Sequence, residues 1–253
     1  MYLALIGALA IGLSLGLLGS GGSILTVPVL VYLLDQPEKL AIAGSLLIVG
    51  TVAFVGAIPW ALRGQVDGRA VLLFGLPGML GTVLGASLST YLSGALQLTI
   101  FAVVMLLAAS RMLRPAPAVA PAPVRKRRLA AQGFGVGILT GIVGVGGGFL
   151  ILPALVLLGG LAMHRAIGTS LSIISLNAWS GFVRHYLALG AAGAVLDWRL
   201  LGILTAVGAG GSLVGQQMAN RLPQQQLRRA FGAMLILMSA YMLWRSLPAL
   251  LPG

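Results

Sequence analysis

No cysteine occurs anywhere in the 253 residues. Disulfides, thiolate metal centres and thiol redox relays are excluded with it. Acidic residues are almost missing too: Asp35, Glu38, Asp67 and Asp197 are the only ones. Each lies between apolar runs or at the end of one, so no carboxylate falls at mid-run, where proton-driven pumps commonly hold one. A carboxylate relay is therefore excluded. The histidines are His164 and His185, and their spacing is not that of a helical metal pair. With Cys, His, Asp and Glu so sparse inside the runs, neither a metal site nor the catalytic constellation of a membrane-embedded enzyme can be assembled. Charged residues make up 8% of the chain, against roughly 25% in a soluble domain.

What fills the chain instead is apolar. Hydrophobic residues reach 58% and the mean hydropathy is +1.03. The apolar runs last about twenty residues, the length that crosses a ~30 Å hydrocarbon core as a helix. A β-barrel would alternate polar and apolar residues in segments of ~10. The fold class is an all-α polytopic membrane protein in the lipid bilayer. A net charge of +12 superficially suggests nucleic acid. The cations lie in short loops between the runs, however, where positive-inside topology puts them, so no nucleic-acid partner is implied. The N-terminus lacks the basic region of a signal peptide, and its first run has a counterpart at mid-chain, so that run is read as part of the mature fold.

That counterpart is the strongest internal signal. Gly16-Leu-Leu-Gly-Ser-Gly-Gly-Ser-Ile-Leu-Thr-Val-Pro28 returns as Gly141-Ile-Val-Gly-Val-Gly-Gly-Gly-Phe-Leu-Ile-Leu-Pro153, displaced by 125 residues. Over positions 16–31, eight of sixteen residues are identical. Ala41-Ile-Ala-Gly-Ser-Leu then pairs with Ala166-Ile-Gly-Thr-Ser-Leu at the same offset, and Lys39 with His164. At an offset of 130, Asp67 pairs with Asp197, Gly81 with Gly211, Gly85 with Gly215 and Phe101 with Phe231. The organisation is a first repeat at 1–113, a basic Pro/Ala-rich cytoplasmic linker at 114–128 and a second repeat at 129–253.

The first run, 2–34, would make a helix of ~50 Å, too long for the bilayer. It is expected to break at residues 19–22, into pieces 2–18 and 23–34, with Ser23 capping the second. Further helices are expected at 40–62, 70–90 and 96–113. The second half repeats this with a broken run at 129–160, then 164–188, 197–219 and 226–247. Gly81, Gly85 and Ser89 form a small stripe that lets another helix approach closely. Cations at 111–128 mark the cytoplasmic side; a specific anionic-lipid site there is not required. Arg184, His185 and Tyr186 read as an interfacial anchor.

Taken together, the Gly-Ser-Gly-Gly and Gly-Val-Gly-Gly-Gly clusters, the prolines that follow them and Ala-Ile-Gly-Thr-Ser-Leu resemble the TauE/SafE-type family. Its members are bacterial exporters or permeases associated with sulfite and organosulfur anions. The resemblance spans essentially the whole chain. It implies a multi-pass protein of the bacterial inner membrane whose substrate is sulfite or a sulfonate.

The residues point the same way independently. A helix that restarts inside the bilayer exposes N–H groups with partial positive charge, and glycine lets a ligand come close to them. Small oxyanions suit that arrangement. The candidate substrate-binding residues are Gly19, Ser20, Gly21, Gly22, Ser23 and Ser45 in the first half. In the second half they are Gly144, Gly146, Gly147, Gly148, Thr169, Ser170 and Asn177. Thr26 and Ser172 add further hydroxyls. For each hydroxyl the alternative is back-bonding to its own helix. Lys39 and His164 are candidates for attracting anions at a mouth, against the alternative of solvated helix-end groups.

These features describe a secondary transporter, not an enzyme, with no cofactor. It would carry a small anion by alternating access at the two broken helices. A coupling ion, H+ or Na+, fits beside the anion, since carbonyls are free on the other side of each break. The alternatives are a non-transporting assembly or scaffold protein, for which the glycines serve packing alone, and a carrier of an unrelated small solute. If each broken run returns toward its starting side, twelve of the sixteen Lys and Arg lie inside and four outside; if it crosses, the split is eleven to five. The first case, with inverted halves and both termini in the periplasm, is the expectation.

Overall fold

The structure, a computed structural model, describes residues 2–113, 126–143, 148–157, 159–191, 193 and 195–246. The described part is all-helical. The first half holds α1 Tyr2–Leu18, α2 Gly21–Pro28 with a π-helical turn at Val29–Leu33, α3 Glu38–Leu62, α4 Gly68–Ala70, α5 Leu76–Leu88 and α6 Gly94–Leu113. A π turn at Val71–Gly75 fuses α4 to α5. The second half holds α7 Lys126–Val143, α8 Gly148–Leu157, α9 Met163–Ala191, α10 Trp198–Ala219 and α11 Gln224–Ser246. Among the described residues, four segments are long and apolar enough to cross a membrane: Glu38–Leu62, Gly68–Tyr91, Met163–Ala191 and Trp198–Ala219. The expected linker at 114–128 lies mostly outside the described residues, and α7 already begins at Lys126.

Proline chemistry shapes both short helices. Pro28 has no N–H, and its ring crowds the preceding turn. The helix widens just beyond it: Leu34 N–H donates to Val29 O (3.1 Å), five residues back, and Gln36 N–H to Leu30 O (2.9 Å). After Pro153 the same closure recurs, Gly159 N–H to Ala154 O (3.0 Å) and Leu161 N–H to Leu155 O (3.1 Å). Both bonds are the first pair displaced by 125. The turns that follow share a left-handed residue, Asp35 at φ 49° and Gly160 at φ 63°. The paired aspartates are N-caps. Asp67 Oδ1 accepts from Ala70 N–H (3.0 Å), and Asp197 Oδ1 accepts from Leu200 N–H (2.9 Å).

Glycine contacts reveal how the helices run. Along α3 and α9, Leu46 meets Gly181, Gly50 meets Ala178 and Trp179, Gly56 meets Leu171 and Trp60 meets Gly168. One number rises as the other falls, so these two helices are antiparallel. Against α10, α1 sets Gly12 on Gly208 and Gly16 on Ser212, running parallel. Against α5, α7 sets Gly137 on Gly78 and Gly141 on Thr82, also parallel. The second pair of contacts is the first displaced by the repeat offsets. A Cβ on Gly12, Gly16, Gly137 or Gly141 would meet a backbone carbonyl of the facing helix. The stripe at Gly81 and Gly85 packs on α7 in the same manner, against Phe134 and Ile138. Such close approach maximises dispersion contact where lipid offers no hydrophobic drive.

The chain doubles back after α1. Gly22 lies against Ile11 and Leu15, and Gly7 against Val29 and Leu33. At the centre α2 meets α8, where Gly148 lies against the hydroxyl of Ser23. These two positions are repeat equivalents.

Candidate functional site around Ser20

Between Leu18 and Gly21 the chain is not helical. Gly19 makes the turn at φ +69°, a conformation open to glycine at little cost. A side chain there would also strike Ile167. Ser20 is the N-cap of α2, and its side chain makes no cap hydrogen bond. The expected cap, Ser23, sits one turn inside α2 instead, and its hydroxyl donates to Ser20 O (2.7 Å). Ser20 was better placed because the helix restarts at Gly21 rather than at residue 23. The Ser20 hydroxyl is fully buried and has no hydrogen-bond partner. The Ser20 side chain therefore leaves the first N–H groups of α2 uncapped, and its free hydroxyl stands beside them.

The other hydroxyls divide clearly. Thr26 donates to Gly22 O (2.7 Å), Ser45 to Ile42 O (2.8 Å), Thr169 to Arg165 O (2.7 Å) and Ser172 to Gly168 O (3.1 Å). All are bonds back into their own helix. Thr169 also accepts from Asp67 N–H (2.9 Å), tying α9 to the loop before α4. Ser170 lies within donor reach of its own Ile167 O (2.9 Å) and of Gly19 O (2.8 Å). It therefore holds the turn itself. Asn177 is fully buried, and neither its amide nitrogen nor its oxygen has a partner. It stands against Gly78 of α5. Ser170, Ile174 and Asn177 share one face of α9, which meets Gly19, Gly148 and Gly78 in turn. This face links the α1–α2 turn to the centre. Gly21 and Gly22 open α2, and Gly148 opens α8. Gly144, Gly146 and Gly147 lie outside the described residues.

Lys39 and His164 close helix ends. The Lys39 ammonium donates to Ser89 O (2.8 Å), Leu92 O (2.7 Å) and Gln97 Oε1 (3.1 Å). His164 Nε2 lies 3.3 Å from Ala219 O. Ser89 and Ala219 are repeat equivalents, each at the C-terminal end of its helix, where basic groups offset unpaired carbonyls. His185 also has an interior partner: it is buried, with Nε2 3.2 Å from Gly141 O.

Further unpartnered polar atoms were not among the expected site, and Gln65 and Gln132 each carry one on a half-buried side chain. Trp60 Nε1, Ser212 Oγ and Gln216 Nε2 are buried and without partners. Two repeat-related cavities complete the picture. One, lined by Asp67, Ala70, Leu155 and Leu161, has about 200 Å3 of free space. Its counterpart, lined by Asp197, Leu200, Leu30 and Gln36, has about 10 Å3.

Comparison with known proteins places this architecture. No solved structure matches the chain. A "Probable membrane transporter protein" of Xylella fastidiosa (strain 9a5c) is 33% identical over 249 residues, covering 93% of this chain and 92% of the relative. A similarly named protein of Haemophilus influenzae is 28% identical, covering 94% of this chain and 96% of its own length. "Probable membrane transporter protein YunE" of Bacillus subtilis is 27% identical over 68% of this chain and 73% of the relative. The family model described as "Sulfite exporter TauE/SafE" matches residues 3–242. The chain is a membrane transporter of the TauE/SafE sulfite exporter family.

Proposed function

We propose that this protein is a secondary carrier of a small sulfur oxyanion, sulfite or a simple sulfonate, in the bacterial inner membrane. The observation that carries this reading is the uncapped start of α2 beside the unpartnered, buried Ser20 hydroxyl. Helix N-terminal N–H groups and a free hydroxyl offer donors, and an oxyanion supplies only acceptors. The family's printed description supports sulfite as the first substrate to try.

Alternating access between inverted halves is the proposed mechanism. Equivalent helices α3 and α9 run antiparallel, which supports a two-fold axis in the membrane plane. The return of α2 along α1 supports a re-entrant hairpin in place of a full crossing. In that arrangement both termini face the periplasm. The unequal cavities at Asp67 and Asp197 fit one of two exchangeable states, open on one side and closed on the other. H+ or Na+ would be the coupling ion.

Flux into proteoliposomes tests the proposal. Sulfite and methanesulfonate are expected to enter faster than into empty liposomes, and an imposed proton or sodium gradient to change the rate. Gly21→Val and Gly146→Val should each abolish flux while leaving insertion intact. Transport of a cation or neutral solute, with no sulfur anion moved, would refute the substrate assignment.

A further inference from the structure

The two-fold scaffold is lined on one side only. Among the described residues, buried polar atoms with no partner occur on the half-buried Gln65 and Gln132 and on five buried side chains: Ser20, Trp60, Asn177, Ser212 and Gln216. The repeat equivalents of these five are Val145, His185, Val52, Thr82 and Ala86. Three of these are apolar. The other two are satisfied, His185 at Gly141 O (3.2 Å) and Thr82 at Gly78 O (2.8 Å). Packing alone would have no reason to leave these five unpaired while each equivalent is apolar or satisfied.

Four of the five belong to one neighbourhood. α3 and α10 run parallel, with Gly44 on Leu201, Val52 beside Gly208 and Gly56 on the Ser212 hydroxyl. One turn further along each helix come Trp60 and Gln216. Gly16 of α1 meets the backbone of Ser212 and Gln216, and the chain turns at Gly19 and Ser20 a turn later. Trp60 in turn rests against Gly168 of α9, next to the Ile167 that meets Gly19. The unpartnered atoms are the indole N–H, an amide NH2 and two hydroxyls. The first two can only donate.

We propose that the carrier holds one anion per chain, at the tip of the first hairpin, through Trp60 Nε1, Gln216 Nε2, Ser212 Oγ and Ser20 Oγ. The repeat-equivalent place at the second hairpin has no such donor set. Although the scaffold is doubled, the ligand site is single. This rests on the carrier reading above. It adds which residues recognise the anion and at which hairpin.

Calorimetric titration of the full-length protein in nanodiscs with sulfite, sulfate, methanesulfonate and phosphate tests it. Each donor substitution, Trp60→Phe, Gln216→Met and Ser212→Ala, is expected to weaken anion binding about ten-fold or more, from the lower end of the range for hydrogen bonds to a charged partner upward. Thr82→Val, in the equivalent position, should stay within two-fold, and the stoichiometry should be one. Thermal melting identifies any variant that fails to fold; Gln216→Met and Ser212→Ala carry the test if Trp60→Phe does. Sulfite binding unaffected by all three substitutions overturns this site while leaving the sulfur-anion carrier intact. Binding of phosphate alone, sensitive to the same three, keeps the site and refutes the sulfur assignment. Two bound anions, or an equal loss in Thr82→Val, overturns the one-sided site. No anion bound at all overturns both.

Discussion

The halves of this protein share a backbone and differ in their lining. The Asp67 and Asp197 caps, the π closures after Pro28 and Pro153, and the Gly12, Gly16 and Gly137, Gly141 contacts are the same features displaced by 125 or 130 residues. The unpartnered polar groups do not repeat. Val52 beside Gly208 becomes Asn177 beside Gly78, and Ala86 becomes Gln216. A repeated frame lets two packings of similar energy exist, which alternating access requires. An unrepeated lining gives the ligand one preferred place within that frame.

The largest expected effect tests the shared part. Gly12→Leu and its equivalent Gly137→Leu drive a side chain into the backbone of a facing helix. Overpacking of this kind costs typically 1–3 kcal/mol, and here the clash is with backbone that has no rotamer to yield. Both variants should lose most of their folded, monodisperse yield on size-exclusion chromatography, and to the same degree. A large loss in one half only would break the equivalence.

The next effect tests the difference. Asn177→Val gives the second half the residue of the first. It removes two unpartnered polar atoms, so thermal stability should hold or rise, while transport falls about ten-fold. The rise follows from the 1–3 kcal/mol that an unsatisfied buried polar group costs. Unchanged flux with raised stability would make Asn177 a packing residue.

Much of this was legible in the sequence, and the rest failed for identifiable reasons. The offset of 125, the interruption near residues 19–22 and nearly every helix came from apolar run length and paired glycines. Asp67 and Asp197 were visible as equivalents, yet their capping roles needed the helix starts fixed to the residue. Ser23 looked like a cap because the restart of the helix was placed two residues too late. Trp60, Ser212 and Gln216 were missed because each sits in an apolar run next to ordinary core residues. Only the pairing of α3 with α10 shows that no neighbour satisfies them. Comparing each polar residue with its repeat equivalent would have flagged Gln216 against Ala86. Lys39 and His164 read alike from sequence as mouth or helix-end groups, and the partners at Ser89 and Ala219 come from the far end of other helices.

The smallest effect separates holding a turn from holding a ligand. The Ser170 hydroxyl bonds Gly19 O, while Ser45 is its repeat equivalent in α3. Ser170→Ala should lower thermal stability by about 1 kcal/mol, the worth of one neutral hydrogen bond, and raise the apparent KM only as far as the turn loosens. A large KM increase without loss of stability would make Ser170 a direct ligand.

Opposite orientation of the halves is the claim on which the rest depends, and the absence of cysteine makes it directly measurable. Pro37 and Ala162 are repeat equivalents, both exposed, each in the segment between a short helix and the span that follows. Single cysteines placed there, Pro37→Cys and Ala162→Cys, can be probed in intact cells with a membrane-impermeant maleimide. The account expects Pro37→Cys to label from the periplasm and Ala162→Cys only after the membrane is opened. Labelling of both from the same side would contradict it.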